Sequence, residues 1–434
     1  MLLGMFAIGV MQLILATALP FIVTEIGGGE LYSWVFSGYM LASIAVIPLC
    51  SKLADIYGKR RFYLLGMVLF ALGSLYGGFA PNMPHLIGAR IVQGLGAGII
   101  TPVAMAMVSD LFPPEKRGNM IGLFGFVQLL SNLLSPVLGS FITKHLGWPW
   151  IFFLNLGMII LSLFLVSLKK TEQESRLGTK LKDIDIFGGL VFGGFSLLAV
   201  SLSNTVSDQG KLGWAGAGLL IALSLASVIL IRIERKHENP VIKMEFLRTP
   251  ILRRSLVSAL LTGAIMYGLV TIIPLLGAIL SRQGFNLDES NTLLLFMLGL
   301  TCGLLTGSRI NRLRTGKAPK YLWLTLTCCS LLLLYSIISV WTSAFLTFLV
   351  LSGLCTGGIM ATFLINSQNA VSSEDRTVLS GLVQLSRYFG ASVGVTLLTG
   401  MLPGVTSISR IEDFSGAFGL VVALCVMGTL NEMF

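Results

Sequence analysis

The chain has 434 residues, 54% of them hydrophobic and only 12% charged, with a formal net charge of +10. Such a balance excludes an ordinary soluble domain, in which about a quarter of residues are charged. The positive charge does not indicate nucleic acid, because the lysines and arginines fall in short loops between apolar runs, where they act as topology signals.

Runs long enough to cross a bilayer are predicted at 3–22, 33–50, 62–80, 84–108, 119–141, 149–168, 185–203, 213–231, 255–279, 291–308, 320–340, 343–365, 377–400 and 414–431. The reading is an all-α integral membrane protein with fourteen spans. Of the 30 lysines and arginines, 24 lie in even-to-odd loops, four in the other loops, and two, Arg90 and Arg387, inside spans. That bias places both termini in the cytoplasm. The first run contains Ala16-Thr17-Ala18, but no basic residue precedes it, so it is read as span 1 rather than a cleaved leader. The loops 169–184 and 232–254 are too short for a separate domain. Residues 234–248 fit a short helix on the membrane surface or a solvated linker equally well.

Cys50, Cys302, Cys328, Cys329, Cys355 and Cys425 all lie in apolar runs or at their ends, without a Cys-x-x-Cys pair. Neither a disulfide framework nor a metal site is expected. His85, His145 and His237 lack ligand spacing. The spans hold no nucleophile–base pairing and no acid pair, so an enzyme is not expected, and nothing suggests a channel filter.

Several stretches carry more than apolarity. Trp34-Val-Phe-Ser-Gly-Tyr39 opens span 2, where Tyr39 suits a cavity lining or core packing equally. Ser51-Lys-Leu-Ala-Asp55-Ile-Tyr-Gly58-Lys59-Arg60-Arg61 joins spans 2 and 3, and Gly58 suits its sharp reversal. In span 4, Arg90, Gly94 and Gly98 are spaced by four and share one helical face beside Gln93. An arginine there must face a cavity or a partner, or bond to backbone carbonyls between helices. Span 5 carries Asn132, Ser135, Pro136, Gly139 and Ser140, small residues suited to a kink and close packing. Trp148-Pro149-Trp150 opens span 6 and, with Trp34, reads as an interfacial aromatic belt. Arg387, Gly390 and Gly394 share a face of span 13, with Arg387 near mid-membrane. A shift of 259 positions superposes Gly94, Gly98, Glu115 and Arg117 on Gly353, Gly357, Glu374 and Arg376, an internal repeat of spans 4–5 in spans 12–13.

These stretches resemble motifs of the major facilitator superfamily. Residues 51–61 resemble its motif A with Ser51 replacing the first glycine. Arg90-x-x-Gln93-Gly94 resembles motif B, and span 5 resembles a motif C in which Ser135 and Ser140 replace glycines. The openings of spans 2, 6 and 7 and the Arg387 stretch resemble the fourteen-span drug/proton antiporter family. The resemblance implies two six-helix bundles, 1–168 and 255–434, with linker 169–254 holding inserted spans 7 and 8, and alternating access about a central site. It implies efflux of lipophilic or amphipathic compounds by a monomer in a bacterial cytoplasmic membrane, driven by a proton gradient, with protons as coupling ion and no cofactor. By the same resemblance Asp55, Gly58, Lys59, Arg60 and Arg117 form a cytoplasmic gate, with Asp55 near the start of span 13. Tyr39, Arg90, Gln93, Asn132 and Arg387 contribute to the substrate cavity. Gly94, Gly98, Pro136, Gly139, Gly390 and Gly394 pack helices, those of span 5 against span 8 or its equivalent.

Two departures matter. Pro149 stands where the family has arginine, and Met11 stands where span 1 has its acid. No carboxylate lies at mid-membrane, and a proton antiporter ordinarily needs one. The alternative is therefore an exporter of a lipid, metabolite or organic anion without carboxylate-based coupling, a reading the two intramembrane arginines favour.

Overall fold

A computed structural model describes all residues except 112–113, 169–190, 192–193, 196, 200, 203–213, 237–245, 247, 283–288, 314–316, 340, 372–375, 404–407, 409 and 434. Most of the expected span 7, the loop 169–184 and most of the expected surface helix therefore lie outside the described residues. The principal helices are α1 (Leu2–Ile26), α2 (Trp34–Tyr57), α3 (Lys59–Gly78), α4 (Met83–Leu111), α5 (Pro114–His145), α6 (Pro149–Leu168), α7 (Trp214–Lys236), α8 (Pro250–Arg282), α9 (Glu289–Leu313), α10 (Ala318–Ile338), α11 (Thr342–Asn369), α12 (Arg376–Gly400) and α13 (Ser415–Met433). In hydrocarbon every backbone N–H and C=O must be satisfied internally, which leaves the helix as the form for each apolar run. Eleven described stretches are long and apolar enough to cross a membrane. Span 13 corresponds to α12, whose apolar run is diluted by Gln384, Ser386 and Arg387.

The helices form two compact units, α1–α7 in the first and α8–α13 in the second. In the first, α4 is wedged between α2 and α3. A Cβ on Gly94 would collide with the Tyr39 carbonyl, one on Gly98 with the Ser43 backbone, and one on Gly96 with the Gly66 carbonyl and Phe70. The Ser43 hydroxyl donates to the Gly94 carbonyl at 2.9 Å, a bond that only close backbones allow. In the second unit α11 meets α9 through the same device: Gly353 lies against the Phe296 carbonyl and Gly357 against that of Leu300. The 259-residue repeat read in the sequence is thus a repeat of contacts. The pairing of α5 with α1 also has a counterpart. Gly139 faces Ile14 and Thr17, whereas Gly390 and Gly394 face Leu260 and Ala264 on α8. The small residues of span 5 therefore pack on α1. The Ser135 hydroxyl confirms the pairing by donating to the Val10 carbonyl at 3.2 Å.

The outer faces are apolar, as lipid contact requires: Ile160, Leu161, Phe164 and Leu165 on α6 are all exposed. The expected aromatic belt needs correction. Trp150 is exposed, but Trp148 is buried, with its ring set edge-on against Phe152 at 6.2 Å. Gly147, at φ 92°, turns the chain so that Trp148 points inward.

A close glycine contact makes a sharp prediction. Gly94→Val should destabilise the protein by about 1–3 kcal/mol or more, because the new side chain must displace α2 backbone. Gly125→Ala, which would meet nothing within 4 Å, should leave the melting temperature of detergent-purified protein nearly unchanged. Equal melting of both variants would contradict the close α2–α4 contact.

Candidate functional site

The first unit is organised around Arg90, which is wholly buried, as is Gln93 one turn later on α4. The Arg90 Nε donates to the Val35 carbonyl of α2 at 3.2 Å. Its Nη1 donates to Gln93 Oε1 at 2.8 Å and lies 3.5 Å from the Met11 carbonyl of α1. The guanidinium carbon sits 4.2 Å above the centroid of the Tyr39 ring, which is itself fully buried. Gln93 Nε2 passes the network on, donating to Ser74 Oγ of α3 at 2.9 Å. Ser74 in turn donates to the Phe70 carbonyl at 2.9 Å and approaches Asn155 Oδ1 of α6 at 3.5 Å. Asn155 Nδ2 closes the circuit on the Ala7 carbonyl of α1 at 2.7 Å. One cation thus ties α1, α2, α3, α4 and α6 together. Among the described residues no carboxylate replaces the acid missing from span 1; backbone carbonyl, amide and aromatic ring receive the guanidinium instead. Its Nη2 is buried without a hydrogen-bond partner among the described residues.

Asn132, on α5, accepts from Gln128 Nε2 at 3.0 Å, and Gln128 lies against Gly9 of α1. Pro136 lies one turn beyond it, inside α5.

In the second unit Arg387 is the twelfth residue of the 25-residue α12. Its Nη2 donates to Gln384 Oε1 on the same helix at 2.7 Å, and its Nε is buried without a hydrogen-bond partner among the described residues. The guanidinium lies 5.8 Å from the Tyr388 ring, which meets Tyr267 of α8 edge-on at 6.5 Å. Unlike Arg90, Arg387 is only half-buried. Gly390 and Gly394 let α8 approach the same helix so closely that the Arg387 carbonyl lies against Gly263.

Of the residues expected to form a gate, Gly58, Lys59 and Arg60 lie at the α2–α3 turn. Gly58 closes α2 with φ 102°, a left-handed conformation, and nothing lies within 4 Å of where its Cβ would be. Conformation, not space, demands glycine there. Asp55 is in the last turn of α2 and Arg117 in the first turn of α5, but their side chains lie outside the described ones. Lys59 is half-buried. Arg60 donates through Nη2 to the carbonyls of Val166 at 3.2 Å and Ser167 at 2.9 Å. It therefore caps the C-terminus of α6, where carbonyls lack helical partners and the helix dipole favours a cation.

Sequence reasoning singled out Arg90 and Gln93 but gave no role to Ser74 or Asn155. A lone asparagine within the apolar run 149–168 was the available signal. It also missed a node in the second unit. There Trp323 Nε1 donates to Ser258 Oγ at 3.3 Å, Ser258 donates to Glu432 Oε1 at 3.0 Å, and Asn431 Nδ2 donates to the Arg254 carbonyl at 3.1 Å.

The family model described as Major Facilitator Superfamily matches residues 1–395. The chain belongs to this superfamily. It is 29% identical over 431 residues to multidrug resistance protein 3 of Bacillus subtilis, covering 96% of this chain and 81% of that one. It is 28% identical to the multidrug transporter protein MdtP of the same organism, over 89% of this chain and 71% of that one. It is 26% identical to the efflux pump FUS6 of Gibberella fujikuroi, over 88% and 70%. Among solved structures, an auto-inhibited POT family peptide transporter superposes with a TM-score of 0.69 at 16% identity, covering 100% of this chain and 94% of that chain. A bacterial homolog of the human lysosomal transporter Spinster gives 0.66 at 15%, with coverage of 100% and 94%. At such identity the likeness shows the fold alone. As a superfamily member with apolar membrane-crossing helices, the protein is an integral membrane transporter.

The six cysteines are all free. A thiol in an apolar helix behaves as a small hydrophobe. Replacing all six with Ala or Ser should leave transport within about a few-fold of the parent, since no cysteine enters either arginine site. Loss of transport traced to one pair would show a catalytic or coupling thiol.

Proposed function

We propose that the protein exports lipophilic or amphipathic small molecules by alternating access, energised by the proton gradient. It would work as a monomer in the bacterial cytoplasmic membrane with both termini inside. The observation that supports this best is near-full-length similarity to relatives named as multidrug transporters. Its apolar helices and the 24-to-4 distribution of basic residues agree with the placement. Uptake of a radiolabelled panel into inverted vesicles, with and without an imposed pH gradient, tests the reading. Gradient-dependent uptake of amphiphiles supports it, and uptake indifferent to the gradient removes proton coupling.

A second reading keeps the fold and changes the cargo: a lipid, metabolite or organic anion, moved without a mid-membrane carboxylate. Met11 at the place of the family's acid favours it, as does an Arg90 held by carbonyls and amide.

We also infer that the α2–α3 turn is a cytoplasmic gate latch with Asp55 as its acid. Asp55→Asn should favour the inward-open state, lowering transport about tenfold and raising thiol-reagent labelling of cytoplasmic-side cysteine reporters. The scale corresponds to about 1.4 kcal/mol of lost latch energy. Unchanged transport with unchanged labelling would count against the latch.

A further inference from the structure

The polar node of the second unit joins three helices. Ser258, on α8, and Trp323, on α10, are both wholly buried. Each lies between one and three turns inside the N-terminus of its helix, while Glu432 lies one residue before the C-terminus of α13. The Ser258 hydroxyl has its full set of partners. It accepts from Trp323 Nε1 at 3.3 Å and from Asn431 Nδ2 at 3.3 Å, and its single proton goes to Glu432 Oε1 at 3.0 Å. The Asn431 amide gives its other N–H to the Arg254 carbonyl of α8 at 3.1 Å. Trp323 cannot shift alone, because a Cβ on Gly428 of α13 would strike its ring. One turn past it, the hydroxyls of Thr327 on α10 and Thr429 on α13 are 2.9 Å apart.

Glu432 is half-buried at the end of its helix, where protons from water reach it. Arg254 is the neighbouring charge on α8, and its Nε is buried without a hydrogen-bond partner among the described residues. Arg253 of α8 and Lys317 and Lys320 of α10 are exposed. The charged residues Arg410, Glu412 and Asp413 lie at the far end of α13, and the side chain of Arg376, which opens α12, lies outside the described ones.

We propose that Glu432 is a proton-binding site of the transport cycle, linked to the interior of the second unit through Ser258 and Trp323. This inference rests on the proton-coupled reading above. As a carboxylate, Glu432 accepts a charge-assisted bond and polarises the Ser258 hydroxyl, which then accepts more strongly from the indole. Proton uptake forms an O–H bond on the carboxyl and removes that charge. Both bonds weaken, and α10 and α13 loosen from α8. Release of the proton to water restores them. Span 1 carries Met11 in place of an acid, so this carboxylate supplies the titrating group that proton coupling requires.

The test follows the tryptophan emission of the detergent-purified full chain from about pH 4 to about pH 8, the range in which carboxylates titrate. Subtracting the emission of Trp323→Phe isolates the buried indole. The wild type should show one transition. Glu432→Gln keeps the shape and an acceptor oxygen but cannot ionise, so it should hold the acid-form emission at every pH. Ser258→Ala should lose the transition although the carboxylate remains. In proteoliposomes Glu432→Gln should lower gradient-driven accumulation of a lipophilic amphiphile at least about tenfold, within the range of ordinary coupling energies. No transition in the wild type, a transition that persists in Glu432→Gln, or undiminished gradient-driven accumulation by that variant would each overturn the proposal. The wild-type titration stands even where a variant fails to fold. Failure of the proton-coupled reading has a different signature: wild-type accumulation would then ignore the gradient, and the coupling role of Glu432 would fall with it.

Discussion

Arg90→Ala should abolish transport and lower stability by about 3 kcal/mol or more. The substitution leaves the Val35 carbonyl and Gln93 Oε1 without their donor in a buried setting. It also strips the Tyr39 ring of its cation and opens a cavity where one of the largest buried side chains stood. Arg90→Lys should rescue little. A lysine ammonium is a compact point charge and cannot span two carbonyls, an amide and a ring face at once, as the planar guanidinium does. Gln93→Leu should cost less, about 1–2 kcal/mol, because the arginine keeps its backbone acceptors. Melting curves of the three variants in detergent, with transport in vesicles, check the order. A fully stable Arg90→Ala variant would show that the circuit through α1, α2, α3 and α6 is not holding the unit together.

Arg387 should behave differently, because it is half-buried and its one acceptor among the described residues, Gln384, lies on its own helix. If it receives substrate, it should favour anionic amphiphiles. Arg387→Ala is then expected to reduce transport of an anionic substrate at least tenfold, about 1.4 kcal/mol, while sparing a cationic one. Arg387→Lys should restore much of the anion transport, since charge rather than bidentate geometry is required. Equal failure of both variants on both substrates, together with poor expression, would assign Arg387 a structural role and remove the main support for the anion reading.

The scaffold was legible in the sequence because its determinants are local. Apolar length marks spans, and glycines at four-residue spacing mark the faces where backbones meet. Gly94 and Gly98, with their repeats Gly353 and Gly357, could be read before any coordinates. The partners of Arg90 could not. Two are main-chain carbonyls, those of Val35 and Met11, 55 and 79 residues away, and a carbonyl acceptor leaves no residue-type signature. The same holds for Arg60, whose acceptors at Val166 and Ser167 lie over a hundred residues on. Trp148 was misplaced for a related reason. Its neighbour Trp150 is exposed, and composition alone cannot tell which of two tryptophans two residues apart turns inward.

Reconstitution of the purified protein into proteoliposomes tests the central claim most directly. A lipophilic amphiphile is supplied outside, and its accumulation is followed with an imposed pH gradient and after collapse of that gradient by an ionophore. Export driven by protons predicts accumulation above the level of protein-free liposomes, lost on collapse of the gradient and lost in Arg90→Ala. Accumulation no greater than in protein-free liposomes, across a panel of cationic, neutral and anionic amphiphiles, would contradict the account.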